Sequence, residues 1–93
     1  MLHVLSYDVS DDDVRSAMAK LLSRYGERVQ ESVFECRLTA ADLEEVEVRA
    51  GLMLEGQAGS SLRVYRLCAS CASAAVGLGE VRKAASGQPF LVD

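Results

Sequence analysis

The fold is decided by one stretch of eleven residues, Arg28-Val29-Gln30-Glu31-Ser32-Val33-Phe34-Glu35-Cys36-Arg37-Leu38. Val29 and Val33 occupy one phase of the two-residue strand alternation, whereas Phe34 and the alternate residues after it occupy the other. The pleat must therefore be interrupted near Ser32, and the sequence predicts a bulge, a kink or a sharp strand change there. The polar residues among the apolar ones indicate that one face of the sheet serves a purpose besides packing.

A strand and an amphipathic helix are predicted upstream of this stretch. Residues 2–9 are largely apolar on both faces, which predicts a central strand with Asp8 near its end. Ser10 and Asp13 have the spacing of a capping box, and the apolar residues that follow recur at helical spacing. Gly26 is expected to end this helix as a C-terminal cap.

The same pattern of strand and capped helix is repeated downstream. Thr39 and Asp42 repeat the helix-opening signal ahead of a second apolar stripe. Residues 62–68 are predicted to form the next strand, and the apolar residues 89–92 a short strand at a sheet edge.

These elements predict an α+β domain, a ferredoxin-like β-α-β-β-α-β sandwich with an added C-terminal strand. Both helices would cover one face of the sheet, and the other face would be solvated, bound by a partner or covered by a second copy. We expect a single domain over residues 1–93, with its core in residues 1–70 and a dimerisation segment in residues 71–93. Because a core of this size is marginal, a homodimer is expected.

Composition limits the classes of function. The chain has 93 residues, of which 49% are apolar, and a net charge of -4, so it is globular and any nucleic-acid binding must be local. No apolar run approaches the roughly 18 residues of a membrane span, and no secretory signal is evident, so a cytoplasmic protein without membrane association is expected. Three cysteines fit a reducing compartment.

Other motifs carry little chemistry by themselves. The pair in Cys68-Ala69-Ser70-Cys71 has the spacing of half a zinc site or of a redox pair, but only Cys36 and His3 are available as further ligands. Small buried residues at a strand end are the favoured interpretation, with a dimer-bridging metal as the alternative. The acidic residues 11–13 are explained by the dipole of the helix that they open.

Six short motifs occur in a fixed order over most of residues 2–68: Val4-Leu5-Ser6-Tyr7-Asp8-Val9, Arg15, Tyr25-Gly26, Arg28-Val29-Gln30, Ser32-Val33-Phe34-Glu35 and Tyr65-Arg66-Leu67. In this order and spacing they resemble the Cas-two family of CRISPR-associated proteins. The C-terminal quarter of the chain is similar to that family only loosely.

The resemblance implies a homodimer that works with the Cas-one integrase in acquiring new spacers for antiviral defence. The resemblance also implies a magnesium-dependent endonuclease activity on RNA or DNA, which some members of that family have. Asp8 would lie at the dimer interface opposite its symmetry mate and bind Mg²⁺. Tyr7 and Ser32 would belong to the same catalytic site, and the nucleic-acid-binding positions implied are Arg15, Arg28 and Phe34.

The residues themselves leave alternatives open. A twofold axis would supply the second carboxylate that a magnesium site needs, but Asp8 alone reads as a strand-end acid that accepts backbone N–H groups. Tyr7 and Phe34 are suited to stack on bases or to pack, and the alternation favours packing for Phe34. Arg15 and Arg28 are suited to bind a phosphodiester, or to remain solvated or ion-paired.

We therefore expect a dimeric nucleic-acid-binding scaffold for the integrase. The second hypothesis is a phosphodiester hydrolase that cuts single-stranded RNA or double-stranded DNA through paired Asp8 residues. An interferase-type toxin ribonuclease and a catalytically silent adaptor of the same fold are the further alternatives.

Overall fold

The computed structural model describes residues 1–79. The elements are β1 (Leu2–Asp8), α1 (Asp12–Ser23), β2 (Gly26–Gln30), β3 (Val33–Arg37), α2 (Ala40–Leu54), β4 (Ser61–Leu67) and α3 (Ala69–Ser73). Their four strands form one antiparallel sheet in the order β2-β3-β1-β4. The predicted β-α-β-β-α-β arrangement of a ferredoxin-like fold is confirmed over these residues.

One face of the sheet, called here the covered face, is packed against α1 and α2. The odd-numbered side chains of β1 point to this face, where the buried core consists of Leu5, Tyr7, Val9, Met18, Leu21, Leu22, Phe34, Cys36, Leu38, Val46 and Ala50. Because β1 lies between β3 and β4, it contributes to the core along its length, as its apolar sequence predicted.

The opposite face, called here the open face, carries the even-numbered residues of β1 and their register partners, since residues directly opposite each other share a face. Its members on the three adjacent strands β3, β1 and β4 are Val33, Glu35, Arg37, Leu2, Val4, Ser6, Asp8, Ser61, Arg63, Tyr65 and Leu67. Neither α1 nor α2 contributes to it.

The interruption predicted near Ser32 is confirmed. The chain turns at residues 31–32 between β2 and β3. The pairing of these strands also shifts between Arg28 and Gln30. One continuous apolar stretch is thus divided into two antiparallel strands.

The prediction that Gly26 caps α1 is wrong. Arg24 occupies the C-cap, and Gly26 begins β2 opposite Cys36. A Cβ atom at Gly26 would lie 2.1 Å from the carbonyl oxygen of Glu35. This glycine therefore permits close approach of two strands, and the contact that requires it is nine residues away in the sequence.

The sequence predicted the N-terminal cap of α2 correctly but not that of α1. Asp11 rather than Ser10 caps α1, its carboxylate accepting a hydrogen bond from the Val14 N–H at 2.9 Å. Asp11 belongs to an acidic run in which each residue is a competent cap, so spacing alone did not select it. The capping box of Thr39 and Asp42 is confirmed at α2.

The short helix α3 lies over one end of the open face and was not predicted. Its Ala72 packs with Leu2, and Val29 and Leu67 pack against this pair. Asp8 lies about 20 Å further along β1, at the other end of the strand. The predicted strand 89–92 and most of the predicted dimerisation segment lie outside the described residues. Within residues 1–79, no helix has the length and apolar character needed to span a bilayer.

Candidate functional site

Asp8 is the last residue of β1 and stands exposed on the open face, opposite Ser61 of β4. Its neighbour Tyr7 points to the covered face, because successive side chains of a strand alternate. Among residues 1–79, no three His, Cys, Asp or Glu residues are grouped as a metal site would require. One copy of the described chain therefore offers a single exposed carboxylate at this position.

Arg15 of α1 fixes the loop that follows Asp8. Its guanidinium Nη1 donates to the backbone oxygens of Val9 at 3.1 Å and Ser10 at 3.3 Å. Nη2 is paired with the carboxylate of Asp12 in the first turn of the same helix. Arg15 thus positions the end of β1 through the backbone immediately after Asp8.

Tyr7, Arg28 and Phe34 form a contact group on the covered face. The rings of Tyr7 and Phe34 are stacked with centroids 6.3 Å apart, and the Arg28 guanidinium lies 5.4 Å from the Phe34 centroid. Arg28 also donates to the Tyr7 hydroxyl at 3.4 Å. Tyr7 is 3% exposed and Phe34 1% exposed, so both rings are packing surfaces within the chain.

Ser32 joins this group through the backbone. Its carbonyl oxygen accepts a hydrogen bond from the Tyr7 N–H at 3.0 Å. The Tyr7 hydroxyl in turn donates to the carbonyl oxygen of Glu31 at 3.3 Å. The turn between β2 and β3 is therefore held to β1 by both ends of Tyr7.

The structure thus divides the predicted site residues between two faces. Tyr7, Arg28, Ser32 and Phe34 are brought together, whereas Asp8 projects from the open face. Phe34 packs in the core, as its alternation phase predicted. The catalytic and nucleic-acid-binding roles of these residues stay predictions.

Arg63 and Tyr65 are open-face residues that the sequence reasoning did not place in the site. Both are exposed, Arg63 opposite Ser6 and Tyr65 opposite Val4. A hydrogen bond with Tyr65 raises the pKa of the Arg63 guanidinium. The sequence could have indicated that Arg63 and Tyr65 lie on the open face. The alternation of β4 puts both on the side opposite Val64, which packs against the core.

Glu35 gives the other side of the open face an acidic character. It lies opposite Glu27 in β2 and next to Val4 in β1. Burial raises the pKa of the Glu35 carboxyl, and its Oε1 is buried without a hydrogen-bond partner. The open face therefore carries Glu27 and Glu35 on its β2–β3 side, with Arg37 on β3 near the α3 end, and Arg63 on its β4 side.

A family model, two related sequences and a solved structure that resemble this chain all carry the same family name. The family model described as CRISPR associated protein Cas2 matches residues 1–75. The chain is 45% identical over 71 residues to the CRISPR-associated endoribonuclease Cas2 1 of Chloroflexus aurantiacus, covering 76% of each chain. It is 43% identical over 84 residues to the CRISPR-associated endonuclease Cas2 2 of Thermus thermophilus, covering 88% of this chain and 91% of the relative. The crystal structure of Streptococcus pyogenes Cas2 is similar with a TM-score of 0.72 at 32% identity, over 85% of this chain and all of that one.

Proposed function

Because the chain belongs to the CRISPR-associated Cas2 family, we propose that it is a homodimeric nucleic-acid-binding scaffold that joins the Cas-one integrase in spacer acquisition. The observation that carries this proposal is the open face, where Asp8, Arg63 and Tyr65 are exposed at and beside the end that α3 leaves uncovered. A sheet face without helices is suited to receive a second copy.

Charge supports self-association through this face. Glu27 and Glu35 lie on its β2–β3 side, Arg37 lies on β3 nearer the α3 end, and Arg63 lies on its β4 side opposite Ser6. A twofold axis along the strand direction would set the β2 side of one copy over the β4 side of the other. Unlike charges would then meet, and the two Asp8 residues would lie at the same end of the assembly.

Nucleic-acid binding is proposed to be local. The net charge of -4 disfavours contact over the whole surface. Arg15 and Arg28 flank the end of β1 from α1 and β2, and we assign them to phosphate contact because the guanidinium fork matches a phosphodiester. Arg28 would keep its stacking on Phe34 while doing so, since a cation above a ring retains N–H groups at its edge.

A second candidate function is metal-dependent phosphodiester hydrolysis at paired Asp8 residues. Relatives of the chain are named endoribonuclease and endonuclease. The donor chemistry fits magnesium, which is commonly held by one or two carboxylates together with substrate phosphate. Asp8 of each copy would hold the ion, and the ion would supply an activated water and neutralise charge on the phosphate.

The chain's own residues would prepare that site. Arg15 fixes the backbone directly after Asp8. Tyr7 ties β1 to the turn at residues 31–32, so that Ser32 is held beside the end of the strand. Tyr7 and Ser32 are proposed to position Asp8, and Phe34 to support Tyr7 from the core.

Asp8→Asn separates the two functions, with Asp13→Asn in the exposed first turn of α1 as the matched control. Spacer integration would be measured with the Cas-one integrase and DNA, and cleavage of RNA and DNA with and without magnesium. We expect Asp8→Asn to retain integration and to abolish magnesium-dependent cleavage where the wild type cleaves. Loss of integration with an intact dimer would contradict the scaffold, and cleavage retained by Asp8→Asn would contradict the Asp8 site.

A further inference from the structure

Two exposed thiols, Cys68 and Cys71, lie within one helical turn directly after the end of β4. The sequence interpretation of small buried residues is wrong for this pair. We propose that Cys68 and Cys71 form a reversible dithiol–disulfide pair, a redox modification site whose oxidant is a small-molecule disulfide.

The geometry places the Cys68 sulfur beside Cys71. The Cys68 Sγ accepts a hydrogen bond from the Cys71 N–H at 3.4 Å and contacts the Ser70 hydroxyl at 3.2 Å. The Cys68 sulfur therefore lies beside the backbone of Cys71 in the reduced chain, and both residues belong to the first turn of α3, where a disulfide between their sulfurs can form.

The surroundings make the two thiols unequal. Hydrogen bonds from Ser70 and Cys71 lower the pKa of Cys68 to about 7. The pKa of Cys71 is raised by its hydrogen bond to Cys68 and by the negative charge there. Cys68 is thus the attacking thiolate, with a pKa near neutrality where thiol exchange is fastest, and Cys71 is the resolving thiol.

The chemistry consists of two exchanges. The Cys68 thiolate attacks one sulfur of the small disulfide, forms a mixed disulfide and releases one small thiolate. Cys71, losing its proton to solvent, then attacks the Cys68 sulfur and displaces the second small thiolate. The two protein thiols are oxidised by two electrons, and the small disulfide is reduced to two thiols.

The fold allows this bond without loss of packing. Ala72 is the residue of α3 that faces inward, where it packs with Leu2. The sulfurs lie on the solvent side of the same turn. A bond between Cys68 and Cys71 would therefore fix the first turn of α3 at the point where the chain leaves the sheet.

The third cysteine provides an internal control. Cys36 is buried between the sheet and α1, where its thiol donates to the Leu22 carbonyl oxygen at 3.9 Å. Burial raises its pKa to about 12. In the folded protein Cys36 should stay reduced under conditions that oxidise the exposed pair.

The test uses the full-length reduced protein and oxidised glutathione as the small disulfide, with quenching by acid, denaturation, alkylation and intact mass analysis. We expect the wild type to lose the mass of two hydrogens and to retain one alkylatable thiol, at Cys36. Cys71→Ser should stop at a single glutathione adduct on Cys68, and Cys68→Ser should react far more slowly.

Three outcomes of the glutathione reaction would each overturn the proposal. They are stable glutathione adducts on both cysteines of the wild type, disulfides between chains, and equal reaction rates for the two serine variants. In Cys71→Ser the alkylation rate should also titrate well below the ordinary thiol range, and an ordinary midpoint would remove Cys68 as the attacking group. None of these readouts depends on nucleic acid, so the result is separate from the proposed function.

Discussion

Tyr7 and Asp8 are adjacent in the chain but lie on opposite faces of the sheet. Tyr7 is 3% exposed and contacts Phe34 and Arg28, whereas Asp8 is exposed at the end of the open face. One short motif therefore joins a residue that stabilises the fold to a residue that is available to a partner. Substitutions on the covered face should cost stability, and those on the open face should change association and activity.

Phe34→Ala on the covered face should cause the greatest loss of stability. The side chain is 1% exposed, and removing a buried phenylalanine costs about 3–5 kcal/mol. Small domains have about 5–15 kcal/mol in total, so the variant should lose a large share of its free energy of unfolding. Urea denaturation followed by circular dichroism measures the loss. A loss comparable to that of a surface substitution would contradict the assignment of Phe34 to the core.

The second effect compares a glycine inside the sheet with one on the surface. Gly26→Ala would place Cβ 2.1 Å from the backbone oxygen of Glu35, and we expect a loss of about 1–3 kcal/mol from overpacking. Gly51→Ala is the control, because no atom lies within 4 Å of its added Cβ. In the helix α2 it should gain up to about 1 kcal/mol. Equal thermal midpoints for the two variants would refute the close approach of β2 and β3.

Tyr7→Phe tests whether Tyr7 acts through the fold. The variant keeps the ring and loses hydroxyl contacts of 3.3 Å to Glu31 and 3.4 Å to Arg28. Such bonds contribute about 0.5–1.5 kcal/mol each, and these long ones should lie at the lower end. Any cleavage activity should fall only in proportion to the folded fraction. Abolished cleavage in a fully folded variant would instead make the hydroxyl a catalytic group.

The smallest effect concerns Glu35 on the open face and depends on pH. Its folded-state pKa is raised above 4.5 by burial, so the folded chain binds the proton more tightly than the unfolded chain. Its contribution to stability is present below the unfolded pKa and is lost as pH rises through the folded pKa. At concentrations where the chain is monomeric, Glu35→Gln should therefore gain stability relative to wild type over the pH range above 4.5, measured by urea midpoints. A relative loss over that range would contradict the assigned direction.

The parts of the fold that the sequence predicted are those that depend on local patterns. The phase change near Ser32, the capping box at Thr39 and the central position of β1 all follow from alternation or spacing along the chain. The role of Gly26 and the packing of Ala72 depend on distant strands, and no local pattern reports such contacts.

The candidate site could be predicted from the sequence only in part. The resemblance identified the positions around Asp8, and alternation separates Asp8 from Tyr7. The engagement of Arg15 with the backbone after β1 and of Arg28 with Phe34 required side-chain geometry. Exposure of the cysteine pair was mispredicted because small residues at a strand end fit a buried site equally well.

Association through the open face fixes the distance between the two Asp8 positions in the assembled protein, and this distance can be measured directly. Nitroxide labels on Asp8→Cys, in a Cys68→Ser and Cys71→Ser background, would be compared by dipolar electron paramagnetic resonance with labels on Val48→Cys. Val48 is 59% exposed on α2, which covers the other face. If two copies meet through the open face, the distance between the Asp8 labels is shorter than the distance between the Val48 labels. No dipolar coupling at Asp8, or a longer distance there than at Val48, would contradict association through the open face.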